Sequence, residues 1–171
     1  MRALHHIGIT ISNLEDGLAF YHDILGLPIA SPPSPVFDDP ELGVAVGVPG
    51  GALRQVNLRL GDDVLELIEY TRPGSPVDRP LPQHAIGAQH VAFRVEDAEA
   101  EKARLEALGV VFFGPVNVVD EGVLAGWRWV YFSDMDGNAL ELVEIAYERT
   151  EETAESVQAY LAARAGAAVE G

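Results

Sequence analysis

Two stretches of this chain occur twice, and this internal repeat limits the possible fold more than any other feature of the sequence. Residues 6–11 (HIGITI) return as residues 90–95 (HVAFRV), and residues 65–69 (LELIE) return as residues 140–144 (LELVE). Each copy therefore opens on a histidine and ends near a glutamate that stands between leucines. The duplication predicts two similar structural units, the first repeat and the second repeat, which are short enough to share one core.

The first repeat has the pattern of a strand, a helix and three further strands. Residues 4–11 alternate like a strand, Ser12 and Glu15 form a capping box, and Gly26 stands where a left-handed cap would end the helix. A long Pro-rich loop follows. The later strands are predicted over residues 43–48, 52–61 and 63–70.

The second repeat follows the same order. A strand over residues 89–95 leads to a helix that Asp97 opens and Gly109 closes, with Ala98, Leu105 and Leu108 facing inward. Residues 134–138 (DMDGN) predict a tight turn. The remaining strands are predicted over residues 110–113, 127–133 and 138–146.

The repeats divide the chain into four parts. A helix at about 150–165, with Thr150 as its cap and Ala154, Val157 and Leu161 facing inward, has no copy in the first repeat. We expect a first module over residues 1–70, a linker over 71–86, a second module over 87–146, and a C-terminal helix and tail over 147–171.

Composition excludes several classes of protein. The 171 residues carry a formal net charge of −16, and they offer no cluster of Lys and Arg to bind phosphate. We therefore expect neither a nucleic-acid partner nor a membrane partner. No membrane-length apolar run or signal segment is evident, so a cytoplasmic protein is expected. Because the chain has no cysteine, any metal must be held by nitrogen and oxygen.

Strand alternation places the repeated histidines and glutamates on one side of their sheets. Isoleucines at positions 7, 9 and 11 pack beneath the helix, so His6 points the other way, and His90 does the same in the second repeat. Glu66 and Glu141 likewise point away from the helix side, because their leucine neighbours face it. All four side chains are expected on the sheet face that no helix covers.

Two imidazoles and two carboxylates form a suitable donor set for a divalent metal. One histidine or glutamate on a strand is usually structural or solvated. Four such residues at repeat-matched positions favour a metal site, because two carboxylates in a cavity would be costly without a compensating cation. By strand parity Glu69 and Glu144 lie on the opposite face, near strand ends, where we expect water to reach them.

Several other side chains are candidates for contact with a ligand. Arg94 shares the face of His90 and suits a carboxylate or a phosphate, although a salt bridge at the rim is an equal alternative. Gln55 and Asn57 alternate on one strand and offer polar contacts. The alternating aromatic residues of another strand either line the cavity or, as we expect, fill the core or a dimer interface; these are Trp127, Trp129 and Tyr131.

These motifs resemble the vicinal oxygen chelate superfamily, the glyoxalase/bleomycin-resistance/extradiol-dioxygenase group. The resemblance rests on residues 6–9, 20–27, 64–69, 90–93 and 134–142. It implies an α+β fold in which paired βαβββ modules form a cup-shaped, barrel-like mixed sheet around a metal site, with the helices outside. It also implies a homodimer, and it places the metal ligands at His6, Glu66, His90 and Glu141.

The His-Glu-His-Glu set resembles that of glyoxalase I and methylmalonyl-CoA epimerase. The resemblance implies a lyase or isomerase that moves a proton next to a carbonyl of a small substrate through a metal-stabilised enediolate. Glu141 is assigned as the base and Glu66 as the second carboxylate. The metal is one divalent ion, and Zn, Ni, Co, Mn and Fe all remain open.

The chain departs from both of these relatives. Thr10 and Tyr70 stand where bacterial glyoxalase I usually has the Arg and Asn that hold glutathione. We therefore expect a substrate other than glutathione. The turn at residues 134–138 is also shorter than the corresponding turn of the epimerases. Thr10, Asn57, Tyr70 and Arg94 are therefore our candidate substrate-binding residues.

Two other functions stay open. An Fe(II) extradiol-type dioxygenase needs two histidines and one glutamate, but Glu66 would fill a position needed by oxygen or catechol. A non-catalytic binding protein of the drug-resistance type has this fold but generally lacks the ligands. The sequence also leaves open whether one chain or two supply the four ligands.

Overall fold

Two four-stranded mixed sheets form the framework of the computed structural model, which describes residues 3–122, 124–145, 155 and 157–162. The strand order is β1-β4-β3-β2 in the first sheet and β5-β8-β7-β6 in the second. The strands are β1 (His6–Ile11), β2 (Ile29–Ser31), β3 (Ala52–Leu60), β4 (Asp63–Arg72), β5 (His90–Val95), β6 (Asn117–Val118), β7 (Arg128–Ser133) and β8 (Ala139–Glu144).

The two sheets have the same topology. In each, the first strand of the repeat pairs in parallel with its last strand, and the other neighbours are antiparallel. The α+β class with paired βαβββ units is thereby confirmed. The sheets are separate and do not close into one barrel.

The first helix of each repeat begins at a side-chain cap. Helix α1 (Leu14–Leu18) continues directly into a π-helical segment (Ala19–Ile24), and its cap is Asn13, whose side chain accepts from the Asp16 N–H. The predicted capping box at Ser12 is therefore wrong by one residue. Gly26 follows the helix with φ 81°, as predicted.

A second helix replaces the strand predicted over residues 43–48. Helix α2 (Pro40–Ala45) begins where Asp39 accepts from the Glu41 N–H and Pro40 takes a first-turn position. The alternating valines after Pro40 have the pattern of a strand, but the Asp39 cap and Pro40 begin a helix there instead. Gly43 lets the next loop approach, because a Cβ there would lie 2.8 Å from the Val48 carbonyl oxygen.

The second repeat differs from its prediction at the end of its helix. Asp97 caps α3 (Ala98–Ala107) as predicted, by accepting from the Ala100 N–H. Leu108 is exposed because it lies beyond the last helical residue, so its inward placement was wrong. The strand predicted over residues 110–113 is reduced to a single bridge between Phe112 and Phe132.

The C-terminal segment is helical at residues 155 and 157–162. Val157 and Leu161 are each 48% exposed, so the prediction that they face inward is wrong. Thr150 and Ala154 lie outside the described residues. Within the described part of the chain, no helix is long and apolar enough to span a membrane.

One hydrophobic core joins the two repeats. The helix-side residues of the parallel strands are buried in it, as the alternation predicted: Ile9, Ile11, Leu65, Leu67, Val91, Phe93, Leu140 and Leu142. Phe20 and Tyr21 of the first helix and Leu105 of α3 belong to the same cluster. The opposite sheet faces, which we call the open faces, are turned away from this core.

The turn at residues 134–138 fastens the second repeat to the first. The Tyr21 hydroxyl donates to Asp134 at 2.8 Å, and the Ser12 N–H donates to Asp136 at 2.7 Å. Asp134 also accepts from the N–H groups of Asp136 and Asn138, which forms the turn that the sequence predicted. Burial raises the pKa of Tyr21, and the charge of Asp134 raises it further.

The glutamates near the ends of β4 and β8 hold the starts of the helices. Glu69 accepts from the Leu14 N–H at 2.7 Å, and Glu144 accepts from the Ala98 N–H at 2.9 Å. Both carboxylates are partly buried against the helix starts, so water reaches them less than their position near the strand ends predicts. The preference of a helix N-terminus for negative charge explains the contact.

An arginine on the neighbouring strand completes each of these contacts. Arg54 donates to Glu69 at 2.7 Å and to Glu15 at 2.6 Å. Arg128 lies 3.5 Å from Glu144 and donates to Glu99 at 3.3 Å. The arrangement is thus duplicated, and it ties the last two strands of each repeat to its helix.

We predict that Glu69→Gln lowers the free energy of unfolding by about 1–3 kcal/mol, because a charged acceptor for the Leu14 N–H and Arg54 is lost. Urea denaturation measures this change. Glu15→Gln is the matched control, since Glu15 contacts the same arginine at the surface, and we expect a smaller loss. Equal losses in the two variants would contradict the role of the helix start.

We predict that Tyr21→Phe costs about 1–2 kcal/mol at neutral pH, and that the difference from wild type shrinks above about pH 10. Because the pKa of Tyr21 is raised in the folded chain, only the unfolded chain ionises there as the pH rises. This ionisation favours the unfolded state and lowers the free energy of unfolding of wild type. The variant has no hydroxyl to ionise and is unaffected. Denaturation of both proteins at pH 7 and pH 11 measures their free energies of unfolding. The same difference between wild type and variant at both pH values would contradict the prediction.

Candidate functional site

The open face of the first sheet carries the pair His6 and Glu66, which we call the first half-site. The two side chains extend from the parallel strands β1 and β4, and His6 Nε2 lies 3.8 Å from Glu66 Oε2. Glu66 is 16% exposed and His6 is 46% exposed. Gly8 is paired with Glu66 in register, and its lack of a side chain leaves the space above the carboxylate open.

The open face of the second sheet carries the second half-site, His90 and Glu141. His90 Nε2 lies 3.2 Å from Glu141 Oε2, with the glutamate 13% exposed and the histidine 40% exposed. Burial raises the pKa of Glu141, while His90 and the Tyr131 hydroxyl offset part of that rise. Each half-site thus presents one imidazole and one sheltered carboxylate.

Tyr131 is a further member of the second half-site, although its strand pattern predicted a place in the core or in a dimer interface. Its hydroxyl lies 3.1 Å from His90 Nε2, and the two rings meet edge to face. Burial raises the pKa of Tyr131, and the charge of Glu141 adds to this. The strand register is the signal that identifies it. Tyr131 of β7 is the register partner of Glu141, just as Asn57 of β3 is the register partner of Glu66.

The aromatic strand lines the open face instead of filling the core. Trp129 and Tyr131 are half-buried, with ring centroids 5.6 Å apart, and they alternate with the buried Val130 and Phe132. Neither ring belongs to the core cluster. Of the two places predicted for these rings, the core is wrong for both, because the register turns them toward the side of Glu141, and a dimer interface stays a prediction.

The structure brings the four predicted ligands together in pairs, not as a set of four. Among the described residues, no group of three or more His, Asp or Glu side chains is close enough to hold a metal ion together. Each half-site has the right donors for a divalent transition metal but supplies only two of them. A complete donor set needs both half-sites.

Helix α2 forms an apolar wall beside the first half-site. A cavity of about 300 Å³ lies between this helix and the sheet, and Glu66 and Tyr70 line it together with apolar side chains. Those side chains are Phe37, Leu42, Val46, Leu53 and Ile68, and Gln55 completes the lining. The sequence pattern does not reveal this wall, because residues 43–48 predict a strand there.

A larger cavity, of about 550 Å³, lies beside the segment that joins the repeats. Thr10 and Tyr70 line it with residues 73–80 of that segment, and Asp136 and Asn138 lie on its far side. Tyr70 therefore borders both cavities. Asn57 is half-buried on the open face of the first sheet, and Arg94 is exposed on that of the second. The four candidate substrate-binding residues thus do not converge in one cavity.

Comparison with known proteins finds two epimerases among the relatives of this chain. A 2-epi-5-epi-valiolone epimerase from an Actinomyces species is 31% identical over 147 residues, which cover 84% of this chain and 79% of that protein. An ethylmalonyl-CoA/methylmalonyl-CoA epimerase from Cereibacter sphaeroides is 30% identical over 112 residues, which cover 65% of this chain and 74% of that protein.

A glyoxalase family protein from Bacillus cereus has a similar fold, with a TM-score of 0.70 and 22% identity over 84% of this chain and 94% of that one. The family model that matches residues 3–142 is that of the Glyoxalase/Bleomycin resistance protein/Dioxygenase superfamily. Since that match spans both repeats and both half-sites, the chain belongs to this superfamily.

Proposed function

We propose that this protein is a metal-dependent enzyme of the epimerase and glyoxalase kind, which moves a proton on a carbon next to a carbonyl group. The observation that carries the proposal is the repeat-matched pair of half-sites, each with one histidine and one sheltered glutamate. The two epimerase relatives support the same reaction class. A divalent ion held by His6, Glu66, His90 and Glu141 would act as a Lewis acid toward the substrate carbonyl.

Glu141 is the residue that we assign as the base. It takes the proton from the carbon next to the carbonyl, and the electron pair of the broken C–H bond moves toward the carbonyl oxygen. Release of this proton to solvent, followed by delivery of a solvent proton to the opposite face of the same carbon, gives the epimer. Return of the proton from Glu141 to the neighbouring carbon gives an isomer. Tyr131 lies beside both His90 and Glu141 and limits the freedom of this carboxylate.

Glu66 supplies the second carboxylate and differs from Glu141 in its surroundings. Its register neighbour is Asn57, which has no acidic proton to exchange. The α2 wall covers one side of Glu66 with apolar side chains. This setting suits a carboxylate that balances charge and borders the apolar part of a substrate.

The residues around the half-sites define the expected substrate contacts. Asn57 and Tyr70 offer polar groups on the side of the first half-site, and Thr10 lies further along β1. Arg94 lies on the open face of β5 with His90 and is suited to a carboxylate or phosphate group. The proposed substrate is therefore a small carbonyl compound, and an anionic group on it would contact Arg94.

We predict that the purified protein holds one divalent ion per chain, and that Glu66→Gln and Glu141→Gln each weaken its binding at least about tenfold. Elemental mass spectrometry after dialysis measures the content. Glu106→Gln is the control, because Glu106 lies on the surface of α3 and its side chain pairs with Lys102. Iron kept by Glu66→Gln, with oxygen uptake on catechol, would favour the dioxygenase. No ion after adding Zn, Ni, Co, Mn or Fe would leave a binding protein.

We predict that the metal-loaded protein exchanges the proton next to the carbonyl of a suitable substrate with solvent deuterium. Methylmalonyl-CoA and 2-epi-5-epi-valiolone are the first probes, since they appear in the names of the relatives. Glu141→Gln is expected to slow the exchange by about 10²–10⁴, the usual contribution of a general base. Proton NMR in D₂O measures the rate, and unchanged exchange in Glu141→Gln would contradict its assignment as the base.

A further inference from the structure

The cavity between α2 and the first sheet is mostly apolar, although it borders a carboxylate of the first half-site. Five of its eight lining residues are apolar, and the polar ones are Gln55, Glu66 and Tyr70. Among the described residues that line it there is no lysine, arginine or histidine. An anionic or strongly hydrated group would lose water there without gaining a partner, so the cavity is suited to a neutral apolar group.

The wall of this cavity is fixed to the sheet on both sides of α2. Before the helix, Phe37 and Leu53 exchange backbone hydrogen bonds, with N···O distances of 2.8 and 3.0 Å. After the helix, the Arg72 side chain donates to the Gly50 carbonyl oxygen at 3.2 Å. Because the wall is in place before a ligand binds, little conformational entropy is lost when the cavity is filled.

The cavity is large enough for a substantial apolar group, and its wall is incompletely covered. Phe37 and Val46 line it and are each 41% exposed. Its volume is about 300 Å³. An apolar cavity of about 150 Å³ in a protein interior binds benzene, so this space is sufficient for a phenyl ring or a chain of about six carbons.

We propose that this cavity is the specificity pocket of the enzyme, and that it holds a neutral alkyl or aryl group attached to the carbonyl substrate. The inference rests on the proposed function, because Glu66 both lines the cavity and belongs to the first half-site. A substrate whose carbonyl end lies at the half-site extends its other end past Glu66 toward Phe37 and Val46. These two residues and Leu42 then determine which substituent is accepted.

The pocket also determines what is rejected and how the substrate is oriented. A hydroxylated substituent binds poorly, because its hydroxyl groups would be buried against the wall without hydrogen-bond partners. The described residues between α3 and β7 contain no helix like α2. The apolar end of the substrate is therefore directed to the first half-site, which leaves the reacting carbon to Glu141.

A series of straight-chain 2-oxo acids tests the proposal. 2-Oxobutanoate, 2-oxohexanoate and 2-oxooctanoate have the same carbonyl and carboxylate groups and differ in the length of the alkyl chain. Isothermal titration calorimetry of the purified, metal-loaded protein measures their affinities. We expect binding to tighten about threefold to fourfold with each added methylene until the cavity is filled.

Variants of the wall show whether the cavity is the place where the chain binds. Val46→Asn and Phe37→Ser each put a polar side chain into the wall, and each is expected to weaken 2-oxohexanoate binding at least about fivefold. Val44→Asn is the matched control, because Val44 is an exposed residue of the same helix that does not line the cavity. It is expected to keep the wild-type affinity. Circular dichroism checks that each variant is folded.

The outcomes separate this inference from the proposed function. Equal affinities for the three acids, failure of 2-oxooctanoate to bind, or an equal loss in Val44→Asn and Val46→Asn would overturn the pocket. Exchange of substrate protons that depends on Glu141 would still leave the proposed function standing. Binding that tightens with chain length and is weakened by Val46→Asn, without any exchange, would support the pocket and overturn the proposed reaction.

Discussion

The contact between a strand-end glutamate and a helix start is the interaction on which each repeat depends. Glu69 and Glu144 receive the first N–H groups of α1 and α3, and the neighbouring arginines Arg54 and Arg128 hold them in place. Because the last strand also pairs in parallel with the first, the contact joins strand, helix and strand into one unit. The register that results places the histidine and the open-face glutamate side by side.

The repeats share a histidine–glutamate pair on their open faces but differ in the features around it. Tyr131 stands beside Glu141 where Asn57 stands beside Glu66, and α2 with its apolar wall belongs to the first repeat. A symmetric donor set combined with asymmetric surroundings suits a site that holds one ion and distinguishes two sides of a substrate.

The sequence predicted the features that depend on a local pattern of residues. It did not predict the contacts between residues that are far apart in the chain. Period-two alternation was sufficient to place His6 and Glu66 on the open face, and Asp97 identified the start of α3. The alternating valines after Pro40 predicted a strand, because hydrophobic periodicity takes no account of the helix cap at Asp39. The helix contact of Glu69 depends on a residue 55 positions away, which no local pattern shows.

Anomalous diffraction from crystals of the metal-loaded protein tests the central claim most directly. We expect one metal peak per chain, bound by both half-sites through His6, Glu66, His90 and Glu141. A peak away from these residues, or bound by only one half-site, would contradict the four-ligand site itself.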